Sequence, residues 1–206
     1  MTPDQIDTII SAGAGLAGAI IGAVSTLLAT WLNKKLQTSG KISLFAKIVH
    51  KPFGGRQAWG YYTSNTKSGL YMLVPLWLDV CNTSGISRIL RNVNLYAYSG
   101  EKEPVPFTQI QRYGDGENAI RFGENESYTL VVPDNSAKRF EMLFILHENR
   151  MPVGQKEFDK LILTYFDEKN NIHAFYFTDI SRCWVKGALP EKLDWIVLNK
   201  KCNNAR

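Results

Sequence analysis

Hydrophobic residues follow one pattern at the start of this chain and a different pattern in the remainder. From Ile9 to Leu32 there is no charged residue and no Asn, Gln, His or Pro. At ~1.5 Å rise per residue, this stretch forms a helix roughly 36 Å long, which is enough to cross a hydrocarbon core of ~30 Å. The pattern therefore predicts a transmembrane helix over residues 9–32, preceded by a short extracytoplasmic segment of residues 1–8.

A cleaved signal peptide or the buried helix of a soluble protein would also contain an apolar stretch. A signal peptide begins with basic residues, whereas the only charged side chains before this stretch are Asp4 and Asp7. Glycines within it lower its hydrophobicity, which keeps the buried helix open as an alternative. Trp31, followed by Lys34 and Lys35, is typical of a membrane interface. These ends favour the transmembrane interpretation.

The basic residues after the stretch also predict an orientation. Lys and Arg beside a short membrane segment are retained in the cytoplasm. We therefore expect the N-terminus outside a bacterial-type inner (plasma) membrane and the C-terminal domain in the cytoplasm. An exported domain with the reverse topology is the alternative.

Small side chains recur every fourth residue within the predicted span. They form a small-residue stripe that consists of Ala14, Gly18, Gly22, Thr26 and Thr30. Such a stripe lets two helix backbones approach closely in a bilayer, and residues 18–22 form a GxxxG motif. The stripe predicts a homo-oligomer formed through the helix, although many such motifs in membrane helices pair with nothing.

After a polar linker of residues 33–41, short apolar and β-branched runs alternate with turn residues, which predicts strands. The predicted strands are Ile42 to Val49, Leu70 to Val80, Ile89 to Tyr98, Val105 to Gln111, Tyr128 to Val132, Phe140 to Leu146, Leu161 to Phe166 and Ile172 to Thr178. The last two are expected to form a hairpin across residues 168–171, because Asn tolerates the positive φ of tight turns.

Short strands at this spacing, without helical periodicity, predict a mainly β domain. We expect an antiparallel β-sandwich, immunoglobulin-like, or a small barrel over residues 42–185, behind one N-terminal transmembrane helix. The final residues, 186–206, form a C-terminal segment with a basic tail. Within it, Ala188 to Leu198 is predicted to make a short amphipathic turn that packs on the domain or lies on the membrane.

The charge and the cysteine content indicate which partners and which cellular compartment to expect. The net charge is +5, with both signs interspersed, so we expect the lipid bilayer and not a nucleic acid as a partner. The three cysteines, Cys81, Cys183 and Cys202, form no close pair in sequence. Reduced thiols of this kind suit the cytoplasm.

The run Pro75 to Ser84, continued by Arg91 to Leu95, resembles a strand–turn–strand signature found in bacterial immunoglobulin-like domains. Those domains are carried behind one N-terminal membrane helix, so the resemblance implies the same fold and location. A second, fainter similarity is to membrane-spanning effectors of bacterial antiphage systems, whose β-barrel senses a cyclic nucleotide. Such effectors usually carry two or more spans, and this chain has one predicted span. The second similarity implies an alternative function, a membrane-disrupting effector gated by a nucleotide.

The chain contains no GxSxG, GxxxxGK[ST], HExxH or CxxC motif, and its GxGxxG match at residues 13–18 lies inside the predicted membrane span and not after a strand. His50, His147 and His173 are far apart and have no acidic residue at metal-ligand spacing. A Cys183–His173 dyad would need a third, orienting group. Isolated Asp residues such as Asp167 are expected in turns. We therefore expect no enzyme activity, no cofactor and no metal site.

One stretch has the composition of a binding surface. It interleaves cations with aromatic rings, a combination that holds phosphate groups and stacks on bases or sugars. The residues are Lys51, Arg56, Trp59, Tyr61, Tyr62 and Lys67. Alternatively, the aromatic rings fill one end of the sandwich. A ligand site here would also use the loop between Arg112 and Arg121.

These patterns together predict a membrane-anchored cytosolic β-sandwich that acts as a non-enzymatic interaction or ligand-sensing module. Its partner is an unknown protein or a small molecule, with a nucleotide among the candidates.

Overall fold

The first element is one long helix, α1, from Pro3–Thr38. The computed structural model describes residues 2–49, 58–63, 69–100, 102–113, 120–121, 128–154, 156–189 and 194–199. Every described side chain of α1 is exposed, so the β domain does not cover it. By length and composition, α1 is long and apolar enough to cross a membrane. Its 36 residues span roughly 54 Å.

The helix extends beyond the predicted span at both ends. At its start, Gln5 Oε1 accepts a hydrogen bond from the Thr2 N–H at 3.1 Å, which satisfies one unpaired donor of the first turn. At the other end, residues 33–37 are mostly good helix formers, so the helix continues through the predicted linker. It ends at Thr38, before Ser39 and Gly40.

After α1, the described residues form strands joined by turns, with one short 3-10 helix at Glu148–Arg150 among them. The strands are β1 Ile42–Ile48, β2 Gly60–Thr63, β3 Leu70–Asn82, β4 Arg88–Tyr98, β5 Val105–Pro106, β6 Thr108–Gln109, β7 Arg112–Tyr113, β8 Ile120–Arg121, β9 Leu130–Val132, β10 Ser136–His147, β11 Lys160–Phe166, β12 Ile172–Asp179, β13 Gly187–Ala188 and β14 Ile196–Val197. Seven of the eight predicted strands are present, with ends shifted by up to four residues. The predicted strand Val105 to Gln111 is instead two short strands, β5 and β6, which belong to different sheets.

Two antiparallel sheets form the body of the domain. In the first, β3 is central: β10 pairs along one side of it, and β1 and β2 pair in turn along the other. Strands β14, β13 and β6 extend this sheet at its margins. In the second, the order is β12-β11-β4, and both β5 and β9 pair with the free side of β4.

The sheets are not closed into a barrel in the described part of the chain, so the predicted sandwich is confirmed and the barrel alternative is wrong. The core lies between the two sheets, where inward-facing residues such as Leu76, Leu78 and Leu163 have no solvent exposure. Burial of this apolar surface is the main stabilising contribution.

Strand β3 is a nearly continuous apolar run that contains one proline, Pro75. Pro75 lies where the neighbour of β3 changes from β1, which ends opposite Leu76, to β2, which begins opposite Leu73. Proline cannot donate to a ladder and is tolerated at such interruptions. The predicted irregularity at Pro75 is therefore a break between two partner strands.

The C-terminal segment differs from the prediction. The structure has strands at β13 and β14, and not a single amphipathic turn, in the described residues of this segment. Val197 pairs with Phe45 of β1, and Leu198 is buried in the core. The sandwich therefore continues past residue 185, because this segment completes the sheet edge beside β1.

Candidate functional site

A cavity of about 570 Å³ opens between the two sheets at one end of the sandwich. Its volume is within the range of ligand pockets, ~300–1,000 Å³. One wall is the start of β1 together with the residues after β14, and the opposite wall comes from β4, β11 and β12. We refer to it as the inter-sheet cavity. The residues that line it are Lys41, Ile42, Ser43, Leu44, Phe45, Arg88, Ile89, Tyr165, Asp167, Glu168, His173, Phe175, Val197, Leu198 and Asn199.

The second sheet contributes polar groups to a position where a sandwich normally places apolar ones. Tyr165 shares the inward face of β11 with the core residues Leu161 and Leu163. The hairpin register sets His173 opposite Tyr165, and their rings stack with centroids 4.8 Å apart. Burial, with the charges of Asp167 and Glu168, raises the pKa of Tyr165 to about 12. Tyr165 is therefore a neutral hydroxyl donor at physiological pH.

Asp167 fixes the hairpin turn that forms the rim of the cavity. Its Oδ1 accepts the backbone N–H groups of Lys169 and Asn171 at 2.9 and 2.8 Å, and its Oδ2 lies 2.9 Å from His173 Nε2. Burial acts to raise the pKa of Asp167, but these hydrogen bonds outweigh burial and hold the pKa well below its usual range. Asp167 is thus a fully engaged carboxylate that orients the His173 ring.

The acidic and the basic residues that line the cavity differ in their partners. Glu168 Oε1 accepts the Ile89 N–H at 3.0 Å, so both acidic residues are bound by the fold itself. Arg88 is hydrogen-bonded through Nε to the neutral Ser84 Oγ at 3.3 Å. In the described part of the chain neither Lys41 nor Arg88 forms an ion pair with a carboxylate. The cavity therefore offers two cationic groups without an ion-pair partner, together with two carboxylates whose hydrogen bonds hold them to the fold.

Helix α1 joins the sandwich directly beside this cavity. Only Ser39, Gly40 and Lys41 separate α1 from β1. The Gly85 N–H donates to Gln37 O at 2.8 Å. The Thr83 N–H donates to Lys41 O, and the Lys41 N–H donates to the Thr83 hydroxyl oxygen, both at 3.1 Å. We call the contact between residues 37–41 and residues 82–86 the junction.

Position 40 at the junction has room for glycine only. A Cβ atom at Gly40 would overlap the backbone of Thr83 and Ser84, so no other residue fits without a shift of one segment. The end of α1 and the β3–β4 turn are therefore packed backbone to backbone.

A buried asparagine holds the β3–β4 turn in place. Asn82 is 1% exposed, and its Nδ2 donates to Ile86 O and Pro133 O, both at 2.8 Å. Its Oδ1 accepts from the Ser84 N–H at 3.0 Å and from the Ser84 hydroxyl at 2.6 Å. The turn that contacts α1 is thus tied to both sheets, because Pro133 follows β9.

In the predicted aromatic and cationic binding stretch, the rings of Trp59 and Tyr61 lie in the core and not on an exposed surface. Trp59 and Tyr61 are 2% and 0% exposed and belong to the core, as the alternative interpretation expected, while Tyr62 is half-buried against Tyr71. They lie on or beside β2, at the end of β3 away from the inter-sheet cavity. The cations Lys51, Arg56 and Lys67 lie outside the described residues. Of the accompanying loop, only the paired strands β7 and β8 are described.

Cys183 is not part of a dyad with His173. Its Sγ donates to Phe158 O at 2.8 Å, and it lies beside Tyr61 at the end of the sandwich away from His173. Burial raises the pKa of the Cys183 thiol, which disfavours a thiolate nucleophile. The described residues contain no group of three or more His, Cys, Asp or Glu that could hold a metal ion.

The small-residue stripe is exposed along α1. Thr26 and Thr30 donate their hydroxyls to backbone oxygens one turn earlier, Gly22 O and Thr26 O, both at 2.8 Å. These bonds keep the hydroxyl groups against the helix. A second helix can therefore approach the stripe without displacing polar side chains.

The inter-sheet cavity was not predicted from the sequence, although a local signal was present. On β12 the inward positions are His173, Phe175 and Phe177, so a histidine occupies a position in line with two core phenylalanines. The predicted hairpin also implied that His173 lies opposite Tyr165. The acidic partner of His173 is Asp167, in the turn of the same hairpin.

Comparison with protein families, with curated proteins and with solved structures found no match to this chain.

Proposed function

We propose that this protein is a membrane-anchored, non-enzymatic ligand-sensing module whose ligand site is the inter-sheet cavity. The observation that carries the proposal is the position of the cavity. One of its walls begins at Lys41, in the segment that connects the candidate membrane helix to the sandwich.

The proposed orientation places the sandwich on the cytoplasmic side of the inner membrane. Lys35 Nζ lies 5.0 Å from the centroid of the Trp31 ring, so an aromatic and a cationic group are adjacent where the apolar stretch ends. This pairing is typical of an interface, and the basic residues favour the cytoplasmic side. The three cysteines are consistent with a reducing compartment.

A ligand in the cavity can affect the helix through a short path. Residues 42–45 line the cavity, and Lys41 both lines the cavity and bonds to Thr83 at the junction. Gly85 in the same turn bonds to Gln37 of α1. A ligand that binds one arrangement of this segment more tightly shifts the junction toward that arrangement.

Self-association through the small-residue stripe is the second part of the proposal. Close packing of glycine and small side chains is the main source of helix attraction in lipid. Two helices that meet along the stripe place two junctions near one another, so ligand binding and association become linked.

A second candidate function is a membrane-disrupting effector gated by a nucleotide. The observation in its favour is the stacked pair Tyr165 and His173 close to the cations Lys41 and Arg88, which is a suitable arrangement for a base and a phosphate. An effector causes growth arrest and membrane depolarisation on overexpression, and the double change Gly18→Leu and Gly22→Leu abolishes both. A chain that leaves growth and membrane potential unchanged contradicts this second candidate.

The sensing proposal can be tested without knowing the ligand, by filling the cavity covalently. Ser43→Cys places a thiol in the cavity wall, and a benzyl thiosulfonate reagent attaches a ring there through a mixed disulfide. The full chain is studied in phosphatidylcholine nanodiscs by hydrogen–deuterium exchange. The unsubstituted chain, treated with the same reagent, is the matched control because it retains the native cysteines.

We expect altered exchange at residues 37–41 and 82–86 of the junction in the labelled Ser43→Cys chain only. Altered exchange at residues 42–45 with an unchanged junction would show that the cavity is not coupled to α1. That result would refute the sensing proposal.

A further inference from the structure

We infer that the ligand of the inter-sheet cavity is an anionic phospholipid of the leaflet that α1 enters. The inference rests on the proposed function, since it names the ligand class of the same site. Its phosphate would lie at Lys41 and Arg88, and its apolar part would lie between the two sheets.

The walls of the cavity are suited to an apolar chain. Leu44 and Leu198 come from the first sheet and its margin, and Tyr165 and Phe175 face them from the second sheet. Two further lining side chains are apolar yet exposed: Ile89 at 37% and Val197 at 51%. Exposed apolar side chains at a cavity mouth favour a ligand whose apolar part extends beyond the cavity.

The charges at the mouth select a negative headgroup. Asp167 and Glu168 are engaged by hydrogen bonds within the fold, whereas Lys41 and Arg88 have no carboxylate partner among the described residues. Asp167 and Glu168 remain negatively charged in the same lining, but an anion at Lys41 and Arg88 would use donors that no carboxylate of the described residues occupies. A zwitterionic headgroup gains less, because its own cation cancels part of this attraction.

The position of the cavity makes the bilayer its nearest source of ligand. From Leu32 to Thr38 the helix rises ~9 Å, and the three connecting residues add at most ~10 Å, so Lys41 is no more than roughly 20 Å from the end of the apolar stretch. The headgroup layer occupies ~5–8 Å of that distance. A soluble anion has to be captured from bulk solution, whereas lipid headgroups are held at high local concentration within roughly 15 Å of Lys41.

The test uses the full chain in mild detergent and native mass spectrometry. Phosphatidylglycerol and phosphatidylcholine with the same acyl chains are added separately, and the lipid retained per protein is counted as collision energy rises. We expect one phosphatidylglycerol per chain to survive, with about tenfold higher occupancy than phosphatidylcholine, a difference that corresponds to ~1.4 kcal/mol.

Two charge-matched double variants separate the cavity from general attraction. Lys41→Gln with Arg88→Gln should lower phosphatidylglycerol retention about tenfold. Lys186→Gln with Arg182→Gln removes the same charge from exposed residues that lie outside the cavity lining and its rim, and should leave retention unchanged. Equal retention in the two variants would overturn the inference, because the lipid would then be bound along α1.

A second arm does not depend on removing cations from a folded chain. The benzyl adduct on Ser43→Cys occupies the cavity and should displace the retained phosphatidylglycerol. Retention that is unchanged by the adduct overturns the inference, whether or not the charge variants fold. Near-UV circular dichroism of each variant checks its fold.

A third arm distinguishes lipid from a soluble anion. Inorganic phosphate and adenosine monophosphate, added at millimolar concentration, should not displace the retained phosphatidylglycerol. If either binds at the cavity and displaces the lipid, the ligand is a soluble anion and the inference fails, while the sensing proposal stands. An unchanged junction in the exchange experiment, by contrast, refutes the sensing proposal whichever anion binds.

Discussion

The buried amide of Asn82 gives the sharpest prediction about how the sandwich holds the end of α1. Asn82→Ala removes two 2.8 Å hydrogen bonds to the carbonyls of Ile86 and Pro133, and two bonds to Ser84. It leaves the carbonyls without this donor in a site where water has little access, since Asn82 is 1% exposed. The change therefore affects both the stability of the domain and the turn that contacts the helix.

The size of the effect follows from these contacts. A typical hydrogen bond contributes ~1 kcal/mol net, and a buried group left without a partner costs ~1–3 kcal/mol. Loss of the bonds to both carbonyls and to Ser84 should lower the free energy of unfolding by about 3 kcal/mol. For a domain of this size, ~2–4 °C per kcal/mol converts this loss to a drop of about 6–12 °C in the unfolding midpoint.

The assay is thermal unfolding of the full chain in phosphatidylcholine nanodiscs, followed by near-UV circular dichroism of the aromatic residues in the sandwich. Asn199→Ala is the control, because Asn199 is exposed and only its backbone N–H takes part in a described hydrogen bond. The same variants, studied by hydrogen–deuterium exchange, should show faster exchange at residues 37–41 for Asn82→Ala alone. A midpoint within ~2 °C of the parent chain, which is less than the expected value of one hydrogen bond, would contradict the role assigned to this amide.

Three further predictions concern single groups. The pKa of Asp167 is lower in the folded state than the ~3.9 of an unfolded Asp, so its carboxylate stabilises the fold above about pH 4 and this contribution is lost as pH falls through the folded pKa. Asp167→Asn should therefore lower the unfolding midpoint at pH 7, and the difference from the parent should shrink below about pH 3 in a pH series of melts; a constant difference contradicts this. Gly40→Ala should destabilise the chain by about 1–3 kcal/mol, because the added methyl group overlaps the backbone at the junction. Gly13→Ala is the control and should not destabilise the chain, because Gly13 has open space around it. Equal unfolding midpoints of the two variants would show that the junction accommodates the methyl group by a small shift. Burial raises the pKa of Cys183, so iodoacetamide should alkylate it far more slowly in the folded chain than in denaturant, as measured by peptide mass spectrometry; equal rates would refute the burial.

The fold could be predicted largely from local pattern, because its main determinants are periodic. The apolar stretch from Ile9 to Leu32 and the strand runs each depend on residues close in sequence. The hairpin from β11 to β12 also followed from turn chemistry, and Asn170 has the expected positive φ of 65°. The C-terminal segment packs on the domain, as one of the two expected placements had it, but it forms strands and not an amphipathic turn. Ile196 and Val197 are strand residues only through pairing with β1, which is distant in sequence.

The site was harder to predict because it is assembled from distant parts of the chain. Lys41, Arg88 and His173 line one cavity only because the two sheets pack together, and no local periodicity reports that packing. The predicted binding stretch illustrates a different difficulty: a run with Trp59 and Tyr61 has the composition of an exposed surface, yet both rings lie in the core. Composition alone does not distinguish a binding surface from the end of a core.

The proposed location of the sandwich, in the cytoplasm behind a membrane helix, can be tested by labelling cysteines in intact cells. A membrane-impermeant maleimide is applied to cells before and after lysis, and a denatured sample corrects for burial of Cys81 and Cys183, which are both free thiols of intermediate exposure. We expect labelling only after the membrane is opened. Labelling in intact cells would place the sandwich outside and contradict the proposed cytoplasmic location.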